Sequence, residues 1–580
     1  MRRLTLLTAA ALAPCVLAAQ PVTKDAPSEG AVVPAPDTKL PLKLAPRPTT
    51  PNITAQDLMT RLYIFADDSM LGREAGTRGN VKGTDYIAAE VKRLGLKPAG
   101  ENGTYFQTIP MKTRTIDVAS TFSVGGAPLA YGTDWAANGT GSLTGTDMPV
   151  VFGGVIGDSA NVISPEQAAG KLVVFYLPPN ASFRALRTIN RIAPSAGGLA
   201  LVVPDQLLAA VRRPSQFLDD AAATPGMPAQ KPVLYLTMES GHKLFPGVTE
   251  MPAPGTAGGT ATLDVRSKLE PVADPARNVV AILEGSDPKL KGQYVAIGAH
   301  NDHVGFNTRP VDHDSIRIFN HIVRPGGAED AGARATPEQQ AAVNKILADY
   351  RAKHPGTARL DSIFNGADDD GSGSVSVLEI AEKMASRKGA QAPKRSILFI
   401  WHVGEEKGLW GSQYFTDHPT VSRDSIVAEL NMDMEGRGDP WDETGKTKEG
   451  ASIHGAQNYL QLVGSRRLST ELGDLAESVN TSGKHGLTFD YSLDANGHPM
   501  NIYCRSDHYE YARYGIPIIF FTTGGHSDYH QVTDEPQYID YDHMTKVVNF
   551  VDDLAMHVAA LDHRPVVDKE KPDPHGGCRQ

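Results

Sequence analysis

Cysteine is scarce in this chain: 580 residues contain only 3, at Cys15, Cys504 and Cys578. That is too few for a disulfide framework and too dispersed for a Cys-rich zinc centre. Any metal must therefore be held by His, Asp and Glu. Basic blocks are missing as well. A net charge of -11 with no Lys/Arg cluster argues against nucleic acid as a partner. Long apolar runs are also absent. The longest apolar-rich stretch near the start, Leu4 to Leu17, is too short to span a membrane, and no later segment is longer and apolar, so stable membrane insertion is not expected. What is present is ordinary for globular protein, 41% hydrophobic and 21% charged, in a chain too long for one core.

The chain divides by texture. Arg2 and Arg3, the short apolar stretch and the small residues Ala18 and Ala19 read as a signal peptide over 1–19, which places the protein in a secreted or periplasmic compartment. Lipid anchoring at Cys15 is disfavoured because Pro14 precedes it. Residues 20–50 are rich in Pro, Ala, Lys and Thr and read as a flexible linker. Residues 117–268 alternate short β-rich runs with Gly, Pro and Ala turns and carry no clustered acids, which marks a separate β-rich module. Residues 51–116 and 269–562 flank it and form the main domain. There, strand candidates such as Gln293–Ala299, Ser396–Trp401 and Ser425–Met432 alternate with helical stretches such as Val375–Met384. This pattern predicts an α/β fold with a mixed, largely parallel sheet and helices on both faces. Residues 305–365 form a long insertion with one helix, announced by Thr336-Pro-Glu-Gln as a capping box. The polar tail 563–580 reads as disordered.

The chemistry gathers where strands end, because open α/β sheets bind ligands at the carboxyl edge. His300-Asn-Asp302-His303, Glu405-Glu406, Asp433 and His526-Ser-Asp-Tyr-His530 each follow a strand, and Asp368-Asp-Asp-Gly precedes a helix. Glu405 and Glu406 pose an electrostatic problem, since adjacent buried carboxylates repel unless a cation lies nearby or one holds a proton. Each piece alone has a plain structural explanation: a hydrogen-bonded His, a solvated helix cap, a charged surface loop. Their coincidence at one edge favours a metal site. Charge balance favours two ions, since three carboxylates and a bridging hydroxide offset two Zn²⁺, with one His and one terminal carboxylate on each. One Glu of the pair then ligates while the other stays free to take a proton from the bridging water.

These residues resemble a known family. Gly298-Ala-His-Asn-Asp-His-Val-Gly, Gly366-Ala-Asp-Asp-Asp-Gly-Ser-Gly, Gly404-Glu-Glu-Lys-Gly-Leu-Trp-Gly-Ser, Leu430-Asn-Met-Asp-Met and Asp528-Tyr-His are similar to motifs of the co-catalytic dizinc aminopeptidases, a group that includes glutamate carboxypeptidase relatives. Met70-Leu-Gly-Arg and Leu96-Lys-Pro-Ala-Gly resemble its N-terminal part, and 117–268 looks like its protease-associated insertion. The resemblance implies two zinc ions, His300 and Asp433 on one, Glu406 and His530 on the other, and Asp369 bridging. It makes Glu405 the general base and Asp302 the residue that orients His300 from behind. Tyr529 would steady the oxyanion and Arg505 would contact substrate. His303, His402 and His526 are left structural. The implied activity is exopeptidase cleavage, most naturally by an aminopeptidase acting on a peptide or protein N-terminus. Alternatives are a carboxypeptidase or another amide hydrolase on the same site, and a non-catalytic receptor-like protein. A single-zinc glutaminyl cyclase fits less well, because all five ligands are present.

Overall fold

The computed structural model describes residues 40–139, 141–158, 160–178, 189, 192–212, 214–219, 231–356, 358–437 and 458–580. The signal-peptide segment, Cys15 and linker residues 20–39 lie outside the described residues. The chain forms two compact units, one from 110–272 and one that joins the preceding segment to 273–580.

The larger unit is built on a nine-stranded sheet. Its strands are β1 (Lys97–Pro98), β2 (Phe106–Thr108), β3 (Arg277–Leu283), β4 (Tyr294–His300), β5 (Ser396–His402), β6 (Ile426–Met432), β7 (Tyr459–Val463), β8 (Thr488–Asp490) and β9 (Ile518–Thr522). Their order is β1-β3-β5-β4-β6-β9-β7-β8, with β2 on β3. The four central strands β5, β4, β6 and β9 run parallel, while β3 and β7 pair antiparallel to them. In β5, Ile397, Phe399 and Trp401 enter one core while Leu398 and Ile400 enter another. Both faces are thus buried, which explains why the strand reads as an unbroken apolar run.

Helices α1 (Ala55–Phe65) and α2 (Arg78–Arg93) precede the sheet. The insertion contributes α3 (His313–Val323) and α4 (Pro337–Lys353), and beyond it come α5 (Gly373–Ser386), α6 (Trp410–Asp417), α7 (Thr470–Ser482) and α8 (Tyr541–Ala560). The first core joins the sheet to α1, α2, α5, α7 and α8, and the second joins it to α6 and the short helix His508–Ala512. Helices therefore cover both faces. Thr336 and Gln339 form the expected capping box at α4, with Pro337 at its first position. Helix α3 was not anticipated from the sequence. Asp312 caps it by accepting the Ser315 N–H, and Ile318 and Val323 pack against Val343 of α4.

Two expectations about the ends are corrected. Residues 40–50, read as flexible, lie on the larger unit: Thr49 donates to Glu382 at 2.6 Å and Thr50 to Asp57 at 2.7 Å. The tail, read as disordered, is also pinned. Arg395 donates to the His563 carbonyl at 2.7 Å, Asp568 N–H to Leu468 O at 3.1 Å, and a disulfide joins Cys504 to Cys578. Neither segment forms a helix or strand, so the Leu40 and Leu44 contacts with the core and the hydrogen bonds and disulfide of the tail leave no periodicity in sequence. The disulfide closes a separation of 74 residues. Cys504→Ser is expected to lower stability by about 2–4 kcal/mol, read from denaturant midpoints under non-reducing conditions.

The smaller unit is a separate mixed β structure with two cores. Ser142–Val155, Leu172–Tyr176, Gly198–Val202 and Val233–Leu236 run parallel, and the long strand Ala257–Pro271 pairs antiparallel with Met111–Ile116 and with Ser142–Val155. Among the described residues, no group of side chains with metal-ligand spacing lies in this unit. No helix among the described residues is long and apolar enough to cross a membrane.

Candidate metal centre

The carboxyl edge of the parallel strands gathers the expected side chains. His300 ends β4, Glu405 and Glu406 follow β5, Asp433 follows β6, and the loop after β9 brings His530. Asp369 arrives from the turn before α5.

Asp369 is central. Its Oδ1 lies 3.1 Å from His300 Nε2, and its Oδ2 lies 2.8 Å from His530 Nε2. Glu406 Oε2 lies 3.0 Å from His530 Nε2, and Asp433 Oδ1 lies 3.7 Å from His300 Nε2. Asp370 also sits near His300 and Asp433. Its oxygens, however, accept backbone N–H groups from His300 at 3.0 Å and Gly373 at 2.8 Å. Asp369 is thus the carboxylate whose two oxygens face one imidazole each.

Several of these buried atoms lack hydrogen-bond partners: His300 Nε2, Asp369 Oδ2, Glu406 Oε1, His530 Nε2 and both His303 ring nitrogens. Buried polar groups left unpaired cost free energy. Ligand atoms lie within 4.8 Å of one another in two neighbouring groups, His303, Asp369, Glu406 and His530 in one and His300, Asp370 and Asp433 in the other, and imidazole with carboxylate is a donor set suited to divalent ions such as zinc. The residues present therefore fit metal.

The electrostatics agree. Burial opposes charge on Asp369, yet the His300 and His530 imidazoles beside its oxygens hold its carboxyl well below the ordinary range. Burial also works against Glu406, but the His530 charge prevails and lowers it to about 2. Both imidazoles are driven well above their ordinary values, against burial, by the surrounding carboxylates. Glu405 goes the other way: burial, with Asp433 and Glu406 adding to it, raises it well above the usual range. The two adjacent acids therefore occupy different environments. Glu406 sits among imidazoles, whereas Glu405 comes no nearer than 4.0 Å to His300 Nε2.

The supporting shell departs from the sequence reading in detail. His300 Nδ1 faces the backbone carbonyl of Asp302 at 3.1 Å, and the Asp302 carboxylate stands 3.9 Å away. That carboxylate instead accepts the N–H groups of Gly404 at 2.7 Å and Glu405 at 3.2 Å. Burial raises Asp302 to about 7. His303 meets Glu406 Oε1 at 2.8 Å, inside the cluster itself. His526 pairs with Asp368 at 3.1 Å, and His402 with Asp507 at 3.4 Å and the Tyr511 hydroxyl at 3.0 Å. Tyr529 stacks on His530 with ring centroids 4.0 Å apart. Arg505 pairs with Glu329 of the insertion. His530 and Met434 hold positive φ, 53° and 64°, a strained backbone of the kind found at functional sites.

Sequence reasoning missed Ser506, whose hydroxyl donates to Asp433 Oδ2 at 2.7 Å, and Asp534, whose carboxylate accepts the N–H groups of Asp368 and Asp369. It also missed Arg73, fully buried, which donates to the carbonyls of Asn365 and Gly366 at the entry to the Asp369 turn. Arg73 lies in the Met70-Leu-Gly-Arg motif, but neither its partners nor those of Ser506 and Asp534 are marked in sequence, because each contact joins distant segments.

A third group, His313, Asp361 and Glu535, has ligand-like spacing but different chemistry. The Arg359 guanidinium donates to His313 Nδ1, which leaves the proton on Nε2, 3.2 Å from Glu535. Burial, and then Arg359, lowers His313 to about 3, so the ring stays neutral. Arg359 also meets Glu535 at 3.2 Å, so a guanidinium already supplies the positive charge of this group.

An α/β sheet that gathers imidazoles and carboxylates at its carboxyl edge places donor groups for a divalent metal ion where such sheets bind ligands. Residues 349–555 match the model of Peptidase family M28. The match contains Asp369, Glu405, Glu406, Asp433 and His530, with His300 upstream of it. Leupeptin-inactivating enzyme 1 of Streptomyces exfoliatus is 38% identical over 103 residues, covering 16% of this chain and 23% of that protein. Leucine aminopeptidase 1 of Coccidioides posadasii (strain C735) is 31% identical over 188 residues, covering 31% and 43%. The chain thus spans less than half the length of these curated relatives. Among solved structures, an aminopeptidase from Aneurinibacillus sp. strain AM-1 aligns over 90% of this chain and 97% of its own, at 17% identity and a TM-score of 0.47.

Proposed function

We propose that the protein is a secreted zinc-dependent exopeptidase, an aminopeptidase that hydrolyses the bond following the N-terminal residue of a peptide or protein. The observation that carries this reading is the convergence of His300 and His530 on the two oxygens of Asp369, beside a Glu405 that is not part of that convergence. His300 and Asp433 would hold one zinc ion and His530 and Glu406 the other, with Asp369 shared. When bound, such a pair polarises the scissile carbonyl and makes a water molecule acidic enough to attack at neutral pH.

The remaining roles belong to the chain. Glu405 accepts the attacking water's proton and delivers it to the leaving amine. Asp302 fixes the backbone of Gly404 and Glu405, so the base cannot drift from the ligands. Tyr529, stacked on His530, offers a hydroxyl to the developing oxyanion. Arg505 borders the substrate. The names of the curated relatives, leupeptin-inactivating enzyme and leucine aminopeptidase, support a peptidase. Export is supported by the short N-terminal apolar stretch and by the Cys504–Cys578 disulfide, which suits an oxidising compartment. The unit at 110–272 is read as a protease-associated domain.

Elemental analysis of purified protein is expected to give about two zinc ions per chain, and chelation should abolish cleavage of leucine p-nitroanilide until zinc is restored. An N-acetylated analogue should not be cleaved. A metal-free but active protein would overturn the metal reading, and equal cleavage of the blocked substrate would overturn the aminopeptidase reading.

A further inference from the structure

The insertion between β4 and α5 meets the loop around His530 at several points, among them Arg317 with Asp528 at 3.5 Å and Asn320 with Gln531 at 3.2 Å. The turn Gly327–Asp330 rests on the backbone beside His530: Ala328 N–H donates to Tyr529 O at 3.0 Å. Gly327 makes the approach possible. Its φ is 57°, and a Cβ there would fall 2.6 Å from Tyr529 O and 2.9 Å from Tyr529 N. The same turn points Glu329 at Arg505, and the two side chains form a partly exposed ion pair. Arg505 is itself tied to the other side of the centre, since its chain neighbour Ser506 donates to Asp433 Oδ2. Glu329 therefore stands between the His530 side and the Asp433 side, on the one cation that borders the centre from the 501–507 loop.

We propose that Glu329 is a specificity-determining residue: by occupying the Arg505 guanidinium, it denies that cation to a carboxylate on the substrate and disfavours peptides whose free C-terminal carboxylate lies next to the scissile bond. The inference rests on the peptidase reading given above. Its physical basis is competition. A guanidinium takes a carboxylate readily in bidentate fashion, and a resident Glu both fills that position and repels a second anion. Arg505 is held charged by its surroundings: burial opposes the charge, but Tyr529 and Glu329 raise it. It is therefore an anion site whenever Glu329 is absent.

The test compares leucyl-glycine with leucyl-glycinamide, which differ in one charge. Glu329→Gln is expected to raise the dipeptide-to-amide ratio of kcat/KM by roughly five- to tenfold, the size of one half-exposed charged hydrogen bond. The gain should vanish in Glu329→Gln/Arg505→Gln. An unchanged ratio in the single variant, or a gain that survives in the double variant, overturns the proposal. The ratio of dissociation constants for the two peptides, measured by calorimetry in the Glu405→Gln background, should shift by the same factor. That measurement needs no turnover. A wild-type protein that cleaves neither peptide therefore sinks the peptidase reading alone, while an unmoved binding ratio sinks this one. Because Glu329 is partly exposed, the variants should fold, which thermal unfolding checks.

Discussion

Replacing Glu405 by Gln should leave zinc content at the wild-type level and lower kcat by about 10²–10⁴-fold. Gln has the shape of a protonated Glu, and Glu405 already lies in surroundings that raise its carboxyl well above the usual range, chiefly through burial. The substitution therefore disturbs neither packing nor ligands. Asp302 would still accept the N–H groups of residues 404 and 405, since both contacts are to backbone. What Gln cannot do is accept a proton. Metal analysis paired with steady-state kinetics on leucine p-nitroanilide decides the matter. A variant that loses its metal makes Glu405 a ligand, and one that keeps wild-type turnover removes Glu405 from the reaction.

The largest expected effect on stability lies away from the site. Arg61 is fully buried in α1 and contacts Glu379 and Glu382 of α5 and Glu90 of α2, so one guanidinium holds three helices. Arg61→Ala should cost about 3–5 kcal/mol, because it leaves buried Glu379 without a cation, whereas Glu90 and Glu382 keep Arg93. Burial already raises Glu379 to about 7 despite Arg61. Without Arg61 it would rise further and stay protonated in the folded state at neutral pH. An acid whose folded pKa exceeds its unfolded value binds more protons when folded, so stability is present at low pH and lost as pH rises through the folded pKa. The variant should therefore regain stability as pH is lowered through neutrality. Chemical denaturation at several pH values checks both the loss and its direction. A loss well under 1 kcal/mol would show that water reaches these carboxylates.

The parts of the fold legible in the sequence were those that repeat or stand next to one another. Strand β5 was readable because burial on both faces leaves an unbroken apolar run, and α4 because a capping box and Pro337 are local signals. The gathering of candidate ligands was readable for a related reason. Each of these side chains closes a strand or opens a helix, so short motifs carry it to a common edge. Helix α3 escaped because its apolar stripe is built largely from the β-branched Ile316, Ile318, Ile322 and Val323, which read as readily as strand. Ser506, Asp534 and Arg73 escaped because their partners lie far along the chain, and nothing in composition or spacing marks a side chain that grips a distant backbone. Asp302 shows the same limit at finer scale. Its proximity to His300 was readable, whereas its grip on residues 404 and 405 depends on β4 and β5 lying side by side.

That last contact bears on transplantation. His300 is the register partner of His402, and Asp302 bonds the residues just past β5, so His300 and Glu405 travel as one rigid piece made from two adjoining parallel strands. A designer who grafted either motif alone onto another scaffold would carry the residues across and lose the spacing between them. The portable unit is the strand pair with its shared carboxylate.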